Sequence, residues 1–353
     1  MKSKKLSWEI GTGYDLFASL YVLHNPAKFG LRASWAAGVR SRLPSKERET
    51  LERAQSVIRI PLHWLHSLQS EKNSISVLWA MEQILPAKRL EILGLSPMIK
   101  NDFRDILVGV AERGSWDKDD QAEIRGVARK HKISLRPKVF RTMLDLWSEP
   151  EEFGEDYLKA LTTYHQVFFM EEERHIWSAL EQAMERAKGL SQKMNLEDLI
   201  ETLSQGVHFA EIAEIDELVM VPSYWLSPLV MFEKITQEKG IFLFGARSEN
   251  VSLIPGDVIP PKLLLVLKTL SDPTRLRILR YMAHEQITPA ELARRLRLRA
   301  PTVTHHLNAL RLAGLVYLSL DEQHERQYQA RLETINSVFN ILNEFLGNKT
   351  TNE

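Results

Sequence analysis

Apolar positions near the C-terminal end of the chain follow first a helical and then an alternating period. Apolar residues recur at helical spacing in three consecutive segments. They are Ile278, Leu279 and Met282, then Leu292 and Leu296, then Val303, Leu307 and Leu310. Residues 315–320 and 327–332 alternate with a period near two, which is typical of paired strands. The pattern predicts three short helices and a β-hairpin whose turn, Asp321 to Arg326, forms a wing.

Helix start and stop signals lie at the joints between these segments. Asp272 stands where an N-cap belongs, followed by a proline whose missing N–H costs nothing at the first helical position. Thr288 and Glu291 have the spacing of a capping box, in which hydroxyl and carboxylate satisfy backbone amides reciprocally. Gly314 is a left-handed stop after the third helix. Only Ala300, before the proline that opens that helix, is a poor N-cap.

The third predicted helix has an apolar face and an opposite polar face. Thr304, His305 and Asn308 project from the polar face, where short side chains can reach base edges in a major groove. No Asp or Glu occurs from residue 292 to 320, whereas Arg294, Arg295, Arg297, Arg299 and Arg311 do. An acid-free basic patch is the electrostatic footprint of phosphate contact. The predicted DNA contacts are Arg299, Thr302, Thr304, His305, Asn308, Arg311 and Arg326.

Each signal also has a simpler explanation when it is taken alone. An arginine cluster is more often a solvated surface than a binding site, and a pair of short helices is common in proteins. His306 falls near the apolar edge of the third helix, so we expect it to be structural. The order of the signals along one segment favours DNA binding over these alternatives.

Two short runs give this region a resemblance to a known family. They are Leu-Ser-Asp-Pro-Thr-Arg at 270–275 and Val-Thr-His-His-Leu at 303–307. Residues 260–346 thereby resemble the DNA-binding domain of the ArsR (arsenical-resistance repressor) family of bacterial regulators. The resemblance implies a dimer built from the first and last helices of the domain, DNA contact through Thr304 and His305, and repression relieved by an effector. It also implies that Arg326 is the wing arginine.

The chain departs from the metal sensors of that family. Those sensors bind metal through cysteines, or through His, Asp and Glu on the last helix. This chain has no cysteine, which excludes thiolate ligands and disulfides. Its predicted last helix, Glu333 to Leu346, has no histidine and is broadly apolar, as a dimer helix should be. We expect no metal site, no cofactor, and an organic or peptide effector.

Charge and periodicity divide the chain into unequal parts. The net charge is zero, yet residues 262–347 hold 12 Lys and Arg against 8 Asp and Glu. Helical periodicity fills most of residues 1–205, and short β-favouring runs split by proline and glycine follow. We expect a mainly α fold. Its predicted parts are a large helical effector or interaction domain at 1–205, a small antiparallel β region at 206–256, the winged helix-turn-helix at 257–347 and a tail at 348–353.

Aromatic residues are the main candidates for an effector site in the N-terminal part. Trp64 with Trp79, and Tyr14, Phe17 and Tyr21 at helical spacing, are candidates for lining an apolar cavity. The simpler explanation for each of them is a place in the core.

Catalytic signals are absent from the same part of the sequence. His63 and His66 can share one helix face, but no third metal ligand is evident. The run Glu171–His175 is expected to be a solvated helix face. The sequence has no phosphate-binding loop, no dinucleotide-binding glycine pattern and no nucleophile elbow. We therefore predict no enzymatic activity.

These observations favour a cytoplasmic, homodimeric transcription regulator of the ArsR type. We expect it to bind an operator in double-stranded DNA, most simply as a repressor, and to sense an effector or partner through its N-terminal part. No apolar run approaches membrane-spanning length, so no membrane association is expected. The alternative is an enzyme or adaptor that uses its winged helix for protein contact or localisation. No motif specifies the operator, the effector, or repression over activation.

Overall fold

Helices dominate the N-terminal part of the protein. The computed structural model describes residues 4–131, 136–247, 261–320 and 326–345. Strand β1, Lys5–Trp8, precedes helices α1 Thr12–His24, α2 Ala33–Arg40, α3 Ser45–Ala54, α4 Leu62–Ser67, α5 Ser74–Glu82, α6 Pro86–Gly94, α7 Asn101–Arg113, α8 Lys118–Lys130, α9 Pro137–Ser148, α10 Pro150–Tyr164, α11 Met170–Ser191 and α12 Leu196–Ser204. A 3-10 helix, Pro26–Phe29, follows α1, and a π-helical turn, His165–Phe169, joins α10 to α11.

Helix α10 is central to this part because it packs against both α3 and α6. The approach to α6 is close: a Cβ placed on Gly154 would lie 2.0 Å from the carbonyl oxygen of Pro86. Beside this contact the buried Arg89 donates hydrogen bonds to the carbonyl oxygens of Met81, Glu82 and Gly154. A buried guanidinium is tolerated here because three carbonyl oxygens replace its lost water.

A small mixed sheet follows the helices. After α12 comes strand β2, Val207–Phe209, which belongs to a different sheet. The mixed sheet consists of β1 with β3 Glu217–Ser223, β4 Met231–Lys234 and β5 Lys239–Gly245. The order is β1-β3-β5-β4, with β1, β3 and β5 parallel and only β4 antiparallel to its neighbour. The expectation of an antiparallel sheet is therefore wrong. Strands β4 and β5 form an antiparallel hairpin. Residues 224–230 lead from β3 to β4 at the edge of the sheet, and β5 then lies between β3 and β4 and runs parallel to β3.

The C-terminal part has the predicted helices and hairpin. Its elements are α13 Pro261–Leu270, α14 Pro273–Met282, α15 Pro289–Leu296, α16 Ala300–Leu312, β6 Val316–Leu320, β7 Arg326–Ala330 and α17 Leu332–Phe345. The apolar positions that predicted α14, α15 and α16 all lie in one buried core with the inner residues of β6 and β7. The mainly α fold with a C-terminal winged helix is thus confirmed. The predicted wing turn at 321–325 lies outside the described residues.

Strand β2 joins the C-terminal part to the mixed sheet. It pairs in parallel with β6, with Val207 opposite Leu318, and makes the wing sheet three-stranded. Val207 is buried in the core of the winged helix. Phe209, two residues on, packs against the same core and also against Phe232 and Phe242 of the mixed sheet, with ring centroids 5.8 Å apart in each pair. The winged helix is therefore held to the rest of the chain by strand pairing and by apolar packing.

Candidate nucleic-acid interface

The side-chain cap of α14 forms as the sequence predicts. The carboxylate of Asp272 accepts hydrogen bonds from the amides of Thr274 and Arg275, at 2.8 and 3.0 Å. These bonds from Arg275 and Thr274 lower the pKa of Asp272, with burial acting against them. His306 of α16 turns inward beside this cap, its Nδ1 4.0 Å from an Asp272 oxygen, as expected of a structural residue.

The capping box of α15 forms only by half. The hydroxyl of Thr288 accepts a hydrogen bond from the Glu291 amide at 3.3 Å. The Glu291 carboxylate does not turn back to the Thr288 amide, because it pairs with Arg294 and Arg295. Two nearby cations compete successfully with a single backbone donor for this carboxylate.

A tight turn connects α15 to α16. Helix α15 ends at Arg297, which adopts a left-handed conformation with φ of 56°. Arg299 is the N-cap residue of α16, but its side chain makes no capping hydrogen bond to the helix. At the other end Gly314 has a φ of 69°, the left-handed stop predicted from the sequence.

The two faces of α16 differ as the interface requires. Val303, Leu307 and Leu310 are at most 1% exposed and pack into the domain core. Thr302, Thr304, His305 and Asn308 are exposed on the opposite side. The exposed side offers hydroxyl, imidazole and amide groups, which donate to and accept from base edges. The structure thus brings four predicted DNA contacts together on one surface.

The arginines of the basic patch are not equivalent. Arg299 and Arg326 are exposed and have no ion pair among the described residues. Arg295 pairs with Glu285 and Glu291, and these hydrogen bonds raise its pKa. Arg294 also pairs with Glu291. Arg299 and Arg326 therefore remain available for phosphate, whereas Arg294 and Arg295 are partly neutralised.

Arg311 does not lie with the other predicted contacts. It is half-buried at the C-terminal end of α16, where burial lowers its pKa and the hydroxyl groups of Tyr328 and Tyr21 lie near enough to affect it. The same helix contacts the 3-10 helix Pro26–Phe29 of the N-terminal part. No local pattern predicts this contact, because it joins segments nearly 300 residues apart.

The N-terminal aromatic candidates are not brought together into a cavity. Trp64 and Phe17 pack edge-to-face in the core at 6.3 Å, while Trp79 is 60% exposed. Tyr14 is buried and donates to Glu9. The core explanation therefore holds for Trp64, Phe17 and Tyr14.

His63 and His66 pair with different carboxylates. His63 lies 3.0 Å from Glu233, whereas His66 lies 2.6 Å from Glu9. Within the described residues no group of three or more His, Asp or Glu is arranged to hold a metal ion. Among the helices of those same residues, none has the length and apolarity needed to cross a membrane.

The sequence predicts that the acidic run at 171–175 is a solvated helix face, but in the structure Glu173 of this run is hydrogen-bonded to other elements. Glu173 accepts hydrogen bonds from the hydroxyl groups of Thr12 and Ser74 and from the Ser74 amide. Burial raises the pKa of this carboxyl, but bonds from His165, Ser74 and Thr12 outweigh it and bring the pKa to about 2. Glu173 is therefore a structural anchor between α11, α5 and the start of α1.

Comparisons with known proteins agree with the geometry of α14 to α16. The family model described as a helix-turn-helix domain matches residues 270–317. The chain contains a helix-turn-helix domain. Among solved structures, the chain is similar to an ArsR-like transcriptional regulator from Rhodococcus sp. RHA1, at 30% sequence identity over 24% of this chain and 80% of that one, with a TM-score of 0.23. No curated protein matches the sequence.

The helix-turn-helix predicted for the C-terminal region is thus confirmed by the family model. This match supports DNA binding. It covers residues 270–317 only, so it leaves the helical N-terminal part to be interpreted from its own residues.

Proposed function

We propose that the protein is a dimeric, ligand-controlled repressor that reads its operator through α16. The observation that carries this proposal is the exposed polar face of α16, formed by Thr302, Thr304, His305 and Asn308 over a buried apolar stripe. Arg299 at the start of the helix and Arg326 on the wing strand are free to contact phosphates on either side of a groove. Side chains on the helix would give sequence preference, and the arginines would give affinity.

Exposed apolar side chains on α13 and α17 support the homodimer. These two helices pack against each other. Leu267 of α13 and Leu332, Phe339 and Phe345 of α17 remain 36–51% exposed. Large apolar side chains grouped on adjacent helices are typical of an interface, and a two-fold interface would bury each set against its twin.

The contacts between the two parts of the chain support control by the N-terminal part. The pairing of β2 with β6 and the contact of α16 with Pro26–Phe29 give a rearrangement of the N-terminal helices two routes to the DNA-reading helix. A sensor domain needs such a route, because an effector shifts DNA binding only if it favours one arrangement over another. We propose a cytoplasmic regulator without enzymatic activity.

Selection of genomic DNA fragments by the full chain tests this function. Sequencing the bound fragments should reveal a two-fold related motif with half-sites about one helical turn, or a multiple of it, apart. Asn308→Asp, which places a negative charge on the groove face, should abolish the enrichment. Asn101→Asp, the same change at an exposed position of α7, should leave it intact. Absence of any enriched motif, or equal enrichment by the Asn308→Asp variant, would overturn the proposal.

A further inference from the structure

Two loops meet at the carboxyl ends of the parallel strands β3 and β5. Tyr224 and Trp225 follow β3, and Arg247 follows β5. The Arg247 amide donates to the Ser227 hydroxyl at 3.0 Å, and its guanidinium donates to the Ser227 carbonyl oxygen at 2.9 Å, which holds the loops together. Ligands of open α/β sheets commonly bind at this end of parallel strands.

Aromatic rings from α2 and from the π-helical turn pack against the aromatic residues of these loops. Trp35 of α2 stacks on Trp225 at 5.9 Å with an interplanar angle of 24°. Phe168 of the π-helical turn lies 5.6 Å from Trp225, and Tyr224 lies 6.3 Å from it. Trp225 and Phe168 are buried, but Trp35 and Tyr224 are only partly so. The cluster therefore presents two aromatic surfaces to the outside.

Two hydrogen-bond donors in this cluster are poorly satisfied. The indole N–H of Trp225, a residue that is only 2% exposed, is buried and has no hydrogen-bond partner among the described residues. Arg247 makes one side-chain hydrogen bond and lies over the Tyr224 ring at 5.8 Å, with no carboxylate paired to it among the described residues. The buried Arg89, by contrast, has three carbonyl partners. Buried donors normally have partners, so a missing acceptor is indicated here.

The acidic groups around the cluster do not supply that acceptor. Burial raises the pKa of Asp15 to about 6, although its oxygens accept from the Trp225 amide, the Ser223 hydroxyl and the Tyr224 amide. Glu172 is partly buried, and burial raises its pKa as well. Burial raises the pKa of Tyr224, and both acids lie near enough to Tyr224 to raise it further. Neither is hydrogen-bonded to Arg247 or to the Trp225 indole.

We infer that Trp35, Tyr224, Trp225 and Arg247 form a binding site for a planar aromatic carboxylate. The ring of such a compound stacks on Trp35 or Tyr224, and its carboxylate accepts from the guanidinium of Arg247 and from the indole N–H of Trp225. Arginine suits this task because its planar fork can bind a carboxylate through two hydrogen bonds. The aromatic faces select a flat ring over a saturated one.

The site is linked to the DNA-reading helix by a short segment. Trp35 lies six residues after the 3-10 helix Pro26–Phe29, which contacts α16. Within that helix Phe29 packs on Tyr21 at 6.0 Å, and Tyr21 lies near Arg311. A ligand that moves Trp35 thus acts on the segment that touches α16. This regulatory role rests on the proposed function, whereas the binding site does not.

Calorimetric titration of the full chain tests the site. Benzoate, phenylacetate and indole-3-acetate serve as probes, with benzamide as the uncharged control and cyclohexanecarboxylate as the saturated one. At least one aromatic carboxylate should bind with one-to-one stoichiometry and at least tenfold more tightly than either control. Failure of all three probes to bind at millimolar concentration, or equal binding of benzamide, would overturn the inference.

Variants separate the two halves of the site. Arg247→Gln should weaken binding at least tenfold, whereas Arg174→Gln, at an exposed position of α11, should not change it. Tyr224→Leu removes an aromatic surface, and with it the ring beneath Arg247, but keeps the guanidinium. It should also weaken binding, which covers the case that Arg247→Gln does not fold. Unchanged binding in folded Arg247→Gln, or in Tyr224→Leu, would contradict the assignment.

A DNA-binding titration distinguishes this inference from the proposed function. The bound probe should change the affinity of the full chain for its selected DNA at least threefold. If the probe binds but the DNA affinity stays constant, the regulatory role is wrong and the binding site stands. If the protein binds no DNA, the proposed function fails, and the calorimetry still decides whether the site exists.

Discussion

Replacing Arg299 by alanine should remove one phosphate contact without disturbing the fold. Arg299 is exposed, has no ion pair among the described residues, and caps α16 through its backbone without using its side chain. Its carbonyl oxygen still accepts from the Val303 amide in the variant, so the melting temperature should be unchanged. The substitution should therefore lower the affinity for DNA and leave the stability of the fold unchanged.

The magnitude follows from counterion release. Each phosphate contact contributes about 0.9 to the slope of log affinity against log salt concentration. Between about 50 and 200 mM salt, the advantage of the wild-type protein over Arg299→Ala should shrink about 3.5-fold. Fluorescence anisotropy on a labelled duplex, repeated at four salt concentrations, measures both slopes.

Arg294→Ala is the matched control. Arg294 is exposed on the neighbouring helix, but it forms an ion pair with Glu291 that partly neutralises its charge. Relative to the wild type, Arg294→Ala should change the slope of log affinity against log salt concentration by less than half as much as Arg299→Ala does. An unchanged slope in Arg299→Ala would refute the assignment of a phosphate contact. Equal changes in both variants would show that the patch acts only through its total charge.

Two further predictions concern stability and assembly. Burial raises the pKa of Asp15 from 3.8 to about 6, so the protonated form favours the fold and this contribution is lost as pH rises from about 4 through 6. Between pH 4 and 7.5 the wild type should lose about 2 kcal/mol relative to Asp15→Asn in urea unfolding, and a constant difference would contradict this. Phe339→Glu should convert the dimer to a monomer in sedimentation, because a charge replaces an exposed phenyl ring of α17. Ser337→Glu, about 160° away around that helix, should stay dimeric, and a monomeric wild type would contradict the prediction.

Local patterns predicted the elements of the C-terminal domain well. Proline and N-cap signals mark the starts of α14 and α15, and Gly314 marks the end of α16, since each acts within a few residues of its own helix. The buried stripe of Val303, Leu307 and Leu310 and the exposed face around His305 follow from helical geometry alone.

Long-range pairings were beyond the sequence pattern. Periodicity shows that a segment can be a strand but not which strand it pairs with, so the parallel pairing of β1 with β3 and of β2 with β6 was missed. Arg311 shows the same limit. It lies on the same side of α16 as Thr304 by helical geometry, yet the N-terminal part covers that end of the helix. The indole of Trp225 likewise depends on neighbours from two distant elements, α2 and the π-helical turn.

The effect of His305→Ala on the ratio of specific to non-specific DNA affinity tests the central claim most directly. His305 is exposed on α16, and its loss should cost about 1–3 kcal/mol on the selected motif while affinity for random DNA stays nearly constant. His284→Ala, at an exposed histidine outside α16, should leave the ratio unchanged. A wild-type ratio that falls at least fivefold in His305→Ala alone is the result that the account predicts. An equal loss of affinity on both DNAs, or no loss on either, would contradict sequence reading by α16.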